Sequence, residues 1–210
     1  IAEGTASIDL MERAGLALAN HIESHAHELV GRDMSQPPRV LVLVGSGNNG
    51  GDGFVLARLL ERRDWQMTVA LCAGDPRSGS DAHTNLVRWR EMGGEIQTRG
   101  AALALLGEAA NAGATPRVDL GGRRLFNTGL DRALDTEMLD LVRAIGDSGL
   151  PVIAVDLPSG LDADTGLPLG GAVRAAATAT LGAAKPGLFL GRGPDYAGRV
   201  SVLDIGLAAP

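Results

Sequence analysis

Val40-Leu41-Val42-Leu43-Val44 is an unbroken apolar run, and it leads directly into Gly45-Ser46-Gly47-Asn48-Asn49-Gly50-Gly51-Asp52-Gly53. Five apolar residues without polar alternation describe a strand covered on both faces, as in a parallel sheet flanked by helices. A helix through Arg63 follows, so the segment reads strand, tight turn, helix, which is the opening of a βαβ unit. Gly45 to Gly50 have G-x-G-x-x-G spacing, placed where backbone N–H groups and a helix dipole can hold phosphate. An Asx-rich turn in which Asn48 and Asp52 merely cap the helix is the plainer alternative. Five glycines in nine residues exceed what a cap requires. The ribose-binding acid of a dinucleotide fold belongs about 20 residues on, but Asp75 stands 30 residues after Gly45. No Lys-Ser/Thr closes the loop either. Both absences count against a conventional NAD(P)-dependent oxidoreductase.

The rest of the chain repeats the alternation. Residues 7–30 read as a helix with Leu10, Ala14, Leu18 and Ile22 on one stripe, Ser7 as N-cap and Gly31 as stop. Strands are expected at 67–72, 95–98, 152–155, 175–181 and 200–203, and helices at 80–92, 101–112 and 135–148. Residues 117–127 stand where the alternation demands another strand, yet Gly121-Gly122-Arg123-Arg124 is poor strand material. The expectation is a single α/β domain over residues 1–210, a Rossmann-like three-layer αβα sandwich with a mostly parallel sheet.

Composition removes several classes of function. Against 25 Asp and Glu there are 19 Lys and Arg, a net charge of −6, which speaks against a basic face for nucleic acid. No apolar run approaches a membrane span. The single cysteine, Cys72, permits neither an intrachain disulfide nor a CxxC site and reads as a buried small hydrophobe. The chain starts at Ile1 without a basic, apolar leader, and is expected to be part of a longer cytoplasmic protein. His21, His25 and His27 crowd one helix end but lack an H-E-x-x-H pattern, so they read as a solvated face. Trp65 and Trp89 read as packing residues.

A second loop, Val155-Asp156-Leu157-Pro158-Ser159-Gly160-Leu161-Asp162-Ala163-Asp164-Thr165-Gly166, also follows a buried strand. Asp156 therefore emerges at the carboxyl end of the sheet, where open α/β folds bind ligands. It reads either as a functional carboxylate or as a turn cap. Lys185-Pro186-Gly187 reads equally as a turn with a solvated lysine or as a substrate-side element.

Taken with Leu10-Met11-Glu12-Arg13-Ala14-Gly15, Lys185-Pro186-Gly187-Leu188, Asp195-Tyr196-Ala197-Gly198 and Asp204-Ile205-Gly206, the two loops resemble the NAD(P)H-hydrate epimerase family, the YjeF-type N-terminal domain. The resemblance implies epimerisation at C6 of the hydrated nicotinamide ring of NAD(P)HX, so that a stereospecific dehydratase can use either epimer. By position it implies a substrate loop of Asn48, Asn49, Gly50, Gly51 and Asp52, and a second of Asn127, Thr128, Gly129, Leu130, Asp131, Arg132 and Ala133. Asp156 is the implied substrate contact and acid/base residue, while Asn49 and Ser159 are implied potassium ligands. The family's third potassium ligand, an aspartate, falls on Arg123, so a cation stands where a cation's ligand is expected. The second reading is accordingly a catalytically impaired domain of the same fold, a scaffold or nucleotide-binding partner. An inward-facing Arg123 would need a carboxylate partner, Asp156 first of all. Implied partners are a dehydratase domain, fused or separate, and further copies of the chain as a homo-oligomer, with no nucleic acid and no membrane.

Overall fold

The computed structural model describes residues 5–25, 38–111, 124–128 and 134–207, the strand at 124–128 by its backbone. In chain order the elements are α1 (Ser7–Ser24), β1 (Arg39–Val44), α2 (Asn48–Glu61), β2 (Gln66–Leu71), α3 (Asp81–Glu91), β3 (Ile96–Thr98) and α4 (Arg99–Asn111). Then come β4 (Arg124–Thr128), α5 (Thr136–Asp147), β5 (Val152–Val155), β6 (Ala177–Leu181), a 3₁₀ turn (Pro186–Leu188), α6 (Gly193–Ala197) and β7 (Arg199–Leu203). The seven strands form one sheet in the order β3-β2-β1-β4-β5-β6-β7, every pair of neighbours parallel. The sheet expected to be mostly parallel is parallel throughout its described pairs.

Period-two alternation in β1 explains why both faces are covered. Val40, Val42 and Val44 join Leu18, Ile22, Phe54, Leu56, Leu60, Trp65 and Trp89 in a core under α1, α2 and α3. Leu41 and Leu43 point the other way, into a second core with Ala102, Leu106, Leu141 and Ile145 from α4 and α5. With so few aromatics, small residues set the layer spacing. At Gly15 of α1 a Cβ would overlap Val55 of α2, so the two helices pack with backbone against side chain. Arg58 of α2 and Arg88 of α3 both close on Glu12 of α1, at 2.5 and 2.6 Å, which ties the three helices of this layer together.

Several local expectations are corrected. Ala6, not Ser7, occupies the N-cap of α1, and the Ser7 hydroxyl bonds Asp81 instead. α1 ends at Ser24 with His25 as C-cap, while His27 and Gly31 lie outside the described residues. His21 and His25 are half-buried rather than solvated, their rings stacked with centroids 4.3 Å apart and the His25 Nδ1 against the His21 carbonyl. A strand does fill the position between β1 and β5, but it begins at Arg124; Gly121, Gly122 and Arg123 lie outside the described residues. Cys72 is buried with its thiol pushed up to about 12 by that burial, an inert small hydrophobe as read. Both tryptophans are buried.

Candidate active site

β1, β4 and β5 finish level with one another. Leu43 of β1 lies opposite Asn127 of β4, Asn127 opposite Ala154 of β5, and Thr128 opposite Val155. The chain thus leaves β1 at Gly45 and β5 at Asp156 on the same edge, two strand spacings or roughly 10 Å apart. Strand order reverses between β1 and β4, and ligands of open α/β sheets bind outside the carboxyl ends at such a switch.

The glycine-rich segment is mostly helix. α2 starts at Asn48 with Gly47 as N-cap and no side chain capping it, so neither Asn48 nor Asp52 serves as the cap. The Gly50 and Gly51 N–H groups donate back to the Gly47 carbonyl at 3.0 and 3.2 Å, which leaves the N–H groups of Asn48 and Asn49 to water or an anion. The glycines have local causes too. A Cβ at Gly50 would overlap the carbonyl oxygen of Gly45, and one at Gly51 would overlap the Met11 thioether of α1. Only backbone this bare lets α2 begin so close to the end of β1 with α1 pressed on its first turn. Asn48 stays exposed and Asn49 half-buried, whereas Gly50, Gly51 and Asp52 are buried.

Asp52 is 6 % exposed. Its carboxyl is pushed up to about 8, first by burial and then by the negative charge of Asp156. At neutral pH it is mostly a neutral acid. No ion pair to Asp52 is formed among the described residues.

Asp156 sits in a different environment. It has φ +68°, in the left-handed region, and the Leu157 N–H donates to the Val155 carbonyl at 2.8 Å across it. That is a γ-turn in its rarer, strained sense. The Asp156 N–H donates to Ala179 of β6 at 2.8 Å, which holds the turn against the sheet. One oxygen of the carboxylate collects the donors: Oδ1 accepts from the Leu181 N–H at 3.0 Å, from the Thr180 hydroxyl at 3.2 Å and from the Lys185 ammonium. Lys185 is thus neither solvated nor idle; its Nζ also donates to the Leu181 carbonyl at 3.1 Å. Among the described residues the cation beside Asp156 is Lys185; Arg123 lies outside them.

Ser159, three residues on, is buried at 1 % exposure, its carbonyl accepting the Val173 N–H at 3.0 Å. A neighbouring Asx turn stiffens the loop: Asp162 Oδ1 accepts from the Thr165 N–H and hydroxyl at 2.7 and 2.6 Å, which holds the Asp162 carboxyl below its usual range. A cleft of about 400 Å³ lined by Arg39, Leu41, Gln66, Thr68, Leu105 and Leu150 opens at the opposite, amino end of the strands. It receives neither carboxyl. The polar groups converge on the carboxyl edge.

The family profile described as YjeF-related protein N-terminus matches residues 7–187. The chain belongs to this family. Among its relatives is the NAD(P)H-hydrate epimerase of Limosilactobacillus reuteri, 36 % identical over 199 residues that cover 95 % of this chain and 85 % of that one. The protein of the same name from Rhodobacter capsulatus is 41 % identical over 170 residues, 78 % of this chain and 72 % of the relative. The bifunctional NAD(P)H-hydrate repair enzyme Nnr of Moorella thermoacetica is 38 % identical over 204 residues, yet the match covers only 36 % of that longer protein. In fold, the chain resembles the crystal structure of yeast ynu0 with a TM-score of 0.75 at 20 % identity, covering 99 % of this chain and 82 % of the yeast one.

Of the residues assigned by resemblance, Asn48, Asn49, Gly50, Gly51 and Asp52 lie in the first turns of α2, and Asp156 and Ser159 lie on the loop leaving β5. Asn127 and Thr128 close β4. Gly129, Leu130, Asp131, Arg132 and Ala133 lie outside the described residues. Among the described residues, no three His, Cys, Asp or Glu side chains are grouped as for a metal ion. No described helix is long and apolar enough to cross a membrane. Sequence reading missed Thr180 and left Lys185 undecided. The available signal was Thr178 and Thr180 in Ala-Thr-Ala-Thr-Leu, polar residues that are fully buried in a strand paired on both sides and so must bond to something.

Proposed function

We propose that the domain interconverts the two C6 epimers of hydrated NAD(P)H. The observation that carries this reading is the pair of unlike carboxyls near the switch point, Asp52 buried with no cation beside it among the described residues and Asp156 paired with Lys185. Epimerisation at C6 breaks one bond from C6 to a heteroatom and re-forms it on the other face. A proton must be given to the leaving heteroatom and one removed from the attacking one. Asp52, a neutral acid at pH 7, supplies the first proton, and the Asp156 carboxylate takes the second. Return of a proton from Asp156 to Asp52 resets the pair, with no net gain or loss. Opposite environments on two neighbouring carboxyls are how one site holds an acid and a base together. The open N-terminus of α2 suits a phosphate of the cofactor, and Asn48 and Asn49 suit its hydroxyls and carboxamide.

Potassium enters the same proposal with a restriction. Asn49 and Ser159 offer neutral oxygens of the kind a hard monovalent cation accepts. Arg123 has five donors and no lone pair to offer, so the set is one anionic ligand short of the family pattern. The donor set does not fit a tightly held ion, and no chemical step is assigned to one. The relatives named bifunctional favour a fused dehydratase as the partner that consumes the product, and a cytoplasmic homo-oligomer remains the expected setting. A coupled assay tests the function. A dehydratase specific for one epimer, given a mixture of both, should leave the other unused until this domain is added and should then consume all of it. Persistence of the unused epimer would contradict the proposal, and binding of NAD(P)HX without turnover would favour the scaffold reading.

A further inference from the structure

Asp156 and Lys185 are brought together by the ends of two adjacent strands. β5 ends in the γ-turn centred on Asp156, and β6 ends in a second one centred on Gly182, φ +69°, where the Ala183 N–H donates to the Leu181 carbonyl at 2.7 Å. The second turn folds the chain back, so that Lys185 reaches both the Leu181 carbonyl and the carboxylate on the neighbouring strand. The three donors on that carboxylate come from one continuous stretch, the last two residues of β6 and the turn that follows it: the Thr180 hydroxyl, the Leu181 N–H and the Lys185 ammonium. All three fall on Oδ1.

From this arrangement we infer that Lys185 is a positioning residue for the reaction: with Leu181 and Thr180 it pins Oδ1 of Asp156, so that Oδ2 is the oxygen that exchanges the proton with substrate. The inference rests on the epimerase reading above and extends it to Lys185. A carboxylate with both oxygens equivalent would rotate about χ2, whose wells are broad. Three donors on one oxygen stop that rotation and fix the direction of the remaining lone pairs. The left-handed backbone at Asp156 serves the same end, because a strained turn is retained when it aims a side chain. Lys185 is about a quarter exposed and Asp156 about a fifth, so the pair is shielded enough for its geometry to matter yet reachable from the crevice. Two of the three ammonium donors are accounted for by Asp156 and Leu181.

Lys185→Met should lower kcat about 10- to 100-fold, the usual reach of one charge-assisted hydrogen bond, while KM stays within about threefold. Thr180→Val, nearly isosteric, should lower kcat by a smaller factor of about 3 to 10. Lys185→Arg should recover part of the loss, and so should a small primary amine added to Lys185→Ala. A lysine that only clamps β5 to β6 would instead lower Tm in Lys185→Met and leave kcat of the folded enzyme unchanged. That result, or loss confined to KM, overturns the assignment. If Lys185→Met does not fold, Thr180→Val and the amine response decide it, and no effect in either overturns it. A wild-type chain that does not interconvert the epimers overturns the epimerase reading and this inference with it. Wild-type turnover that survives Lys185→Met overturns the inference alone.

Discussion

Asp52 lies within reach of the charge on Asp156, although 104 residues separate them in the chain. One comes from the first turns of α2 and the other from the end of β5, and the parallel register of β1, β4 and β5 brings them to the same edge. Their surroundings differ in kind: among the described residues, burial without a cation for Asp52, an ammonium and a backbone N–H for Asp156.

The raised value at Asp52 has a sign that stability measurements can read. The folded chain holds this proton more tightly than the unfolded chain, whose carboxyl has its ordinary value of 3.8. The associated stability is fully present below that value and is lost as pH rises through about 8. The loss runs at ~1.4 kcal/mol per pH unit within that window. Asp52→Asn keeps the shape and the neutrality, so it should melt with the wild type at pH 4 and above it at pH 8. Equal melting temperatures at pH 8 would show that Asp52 is ionised at no cost in the folded protein. In the reaction the same proton is the acid, so the wild-type rate should fall as pH rises through about 8.

Asp156→Asn should lower epimerisation by ~10²–10⁴, the usual worth of a general acid–base group. The fold should hold, because asparagine tolerates the left-handed backbone that φ +68° requires. Asp156→Ala should be less stable than Asp156→Asn by about 1–2 kcal/mol, since alanine carries the full penalty of that region. Circular dichroism and thermal melts of the two variants check the order. Wild-type turnover in Asp156→Asn would reduce Asp156 to a residue that only positions substrate.

Helix propensity and packing oppose each other at Gly15. Alanine is better in a helix by roughly 1 kcal/mol. A Cβ there overlaps Val55, however, and forcing an extra methyl into a packed layer costs about 1–3 kcal/mol. Gly15→Ala should therefore lower the melting temperature, and Val55→Ala in the same chain should return part of the loss. Stabilisation by Gly15→Ala alone would mean that α1 and α2 have room between them.

Much of the fold and part of the site are legible in the amino-acid sequence. The apolar run at 40–44, the alternation of strands and helices, and the two loops gave the sheet and the edge on which it carries polar groups. The glycines of 45–53 were harder, because a glycine that bares backbone to a ligand and one that admits a neighbouring helix look alike in sequence. Gly51 packs on Met11, which no local pattern announces. Lys185 was undecidable for a similar reason. Its partner lies 29 residues back and is set by the pairing of β5 with β6, a tertiary fact. The strand at 124–128 was obscured by the Gly-Gly-Arg-Arg run that leads into it, since its pairing with both β1 and β5 overrides weak propensity.

Arg123 leads to a separate expectation. With a guanidinium where the resemblance implies a carboxylate, titration with potassium should leave the rate flat, and Arg123→Asp should introduce a potassium dependence. Acceleration of the wild type by potassium over sodium would contradict this and would show that Asn49, Ser159 and backbone oxygens suffice.

The central claim is that this domain inverts C6 of the hydrated nicotinamide ring with Asp52 and Asp156. Its most direct test starts from each purified epimer of NADHX separately, with chromatography following both against an enzyme-free control. Wild-type protein should bring both samples to the same epimer ratio faster than the control, and Asp156→Asn should not. Two samples that stay apart at the spontaneous rate with folded wild-type protein present would contradict it.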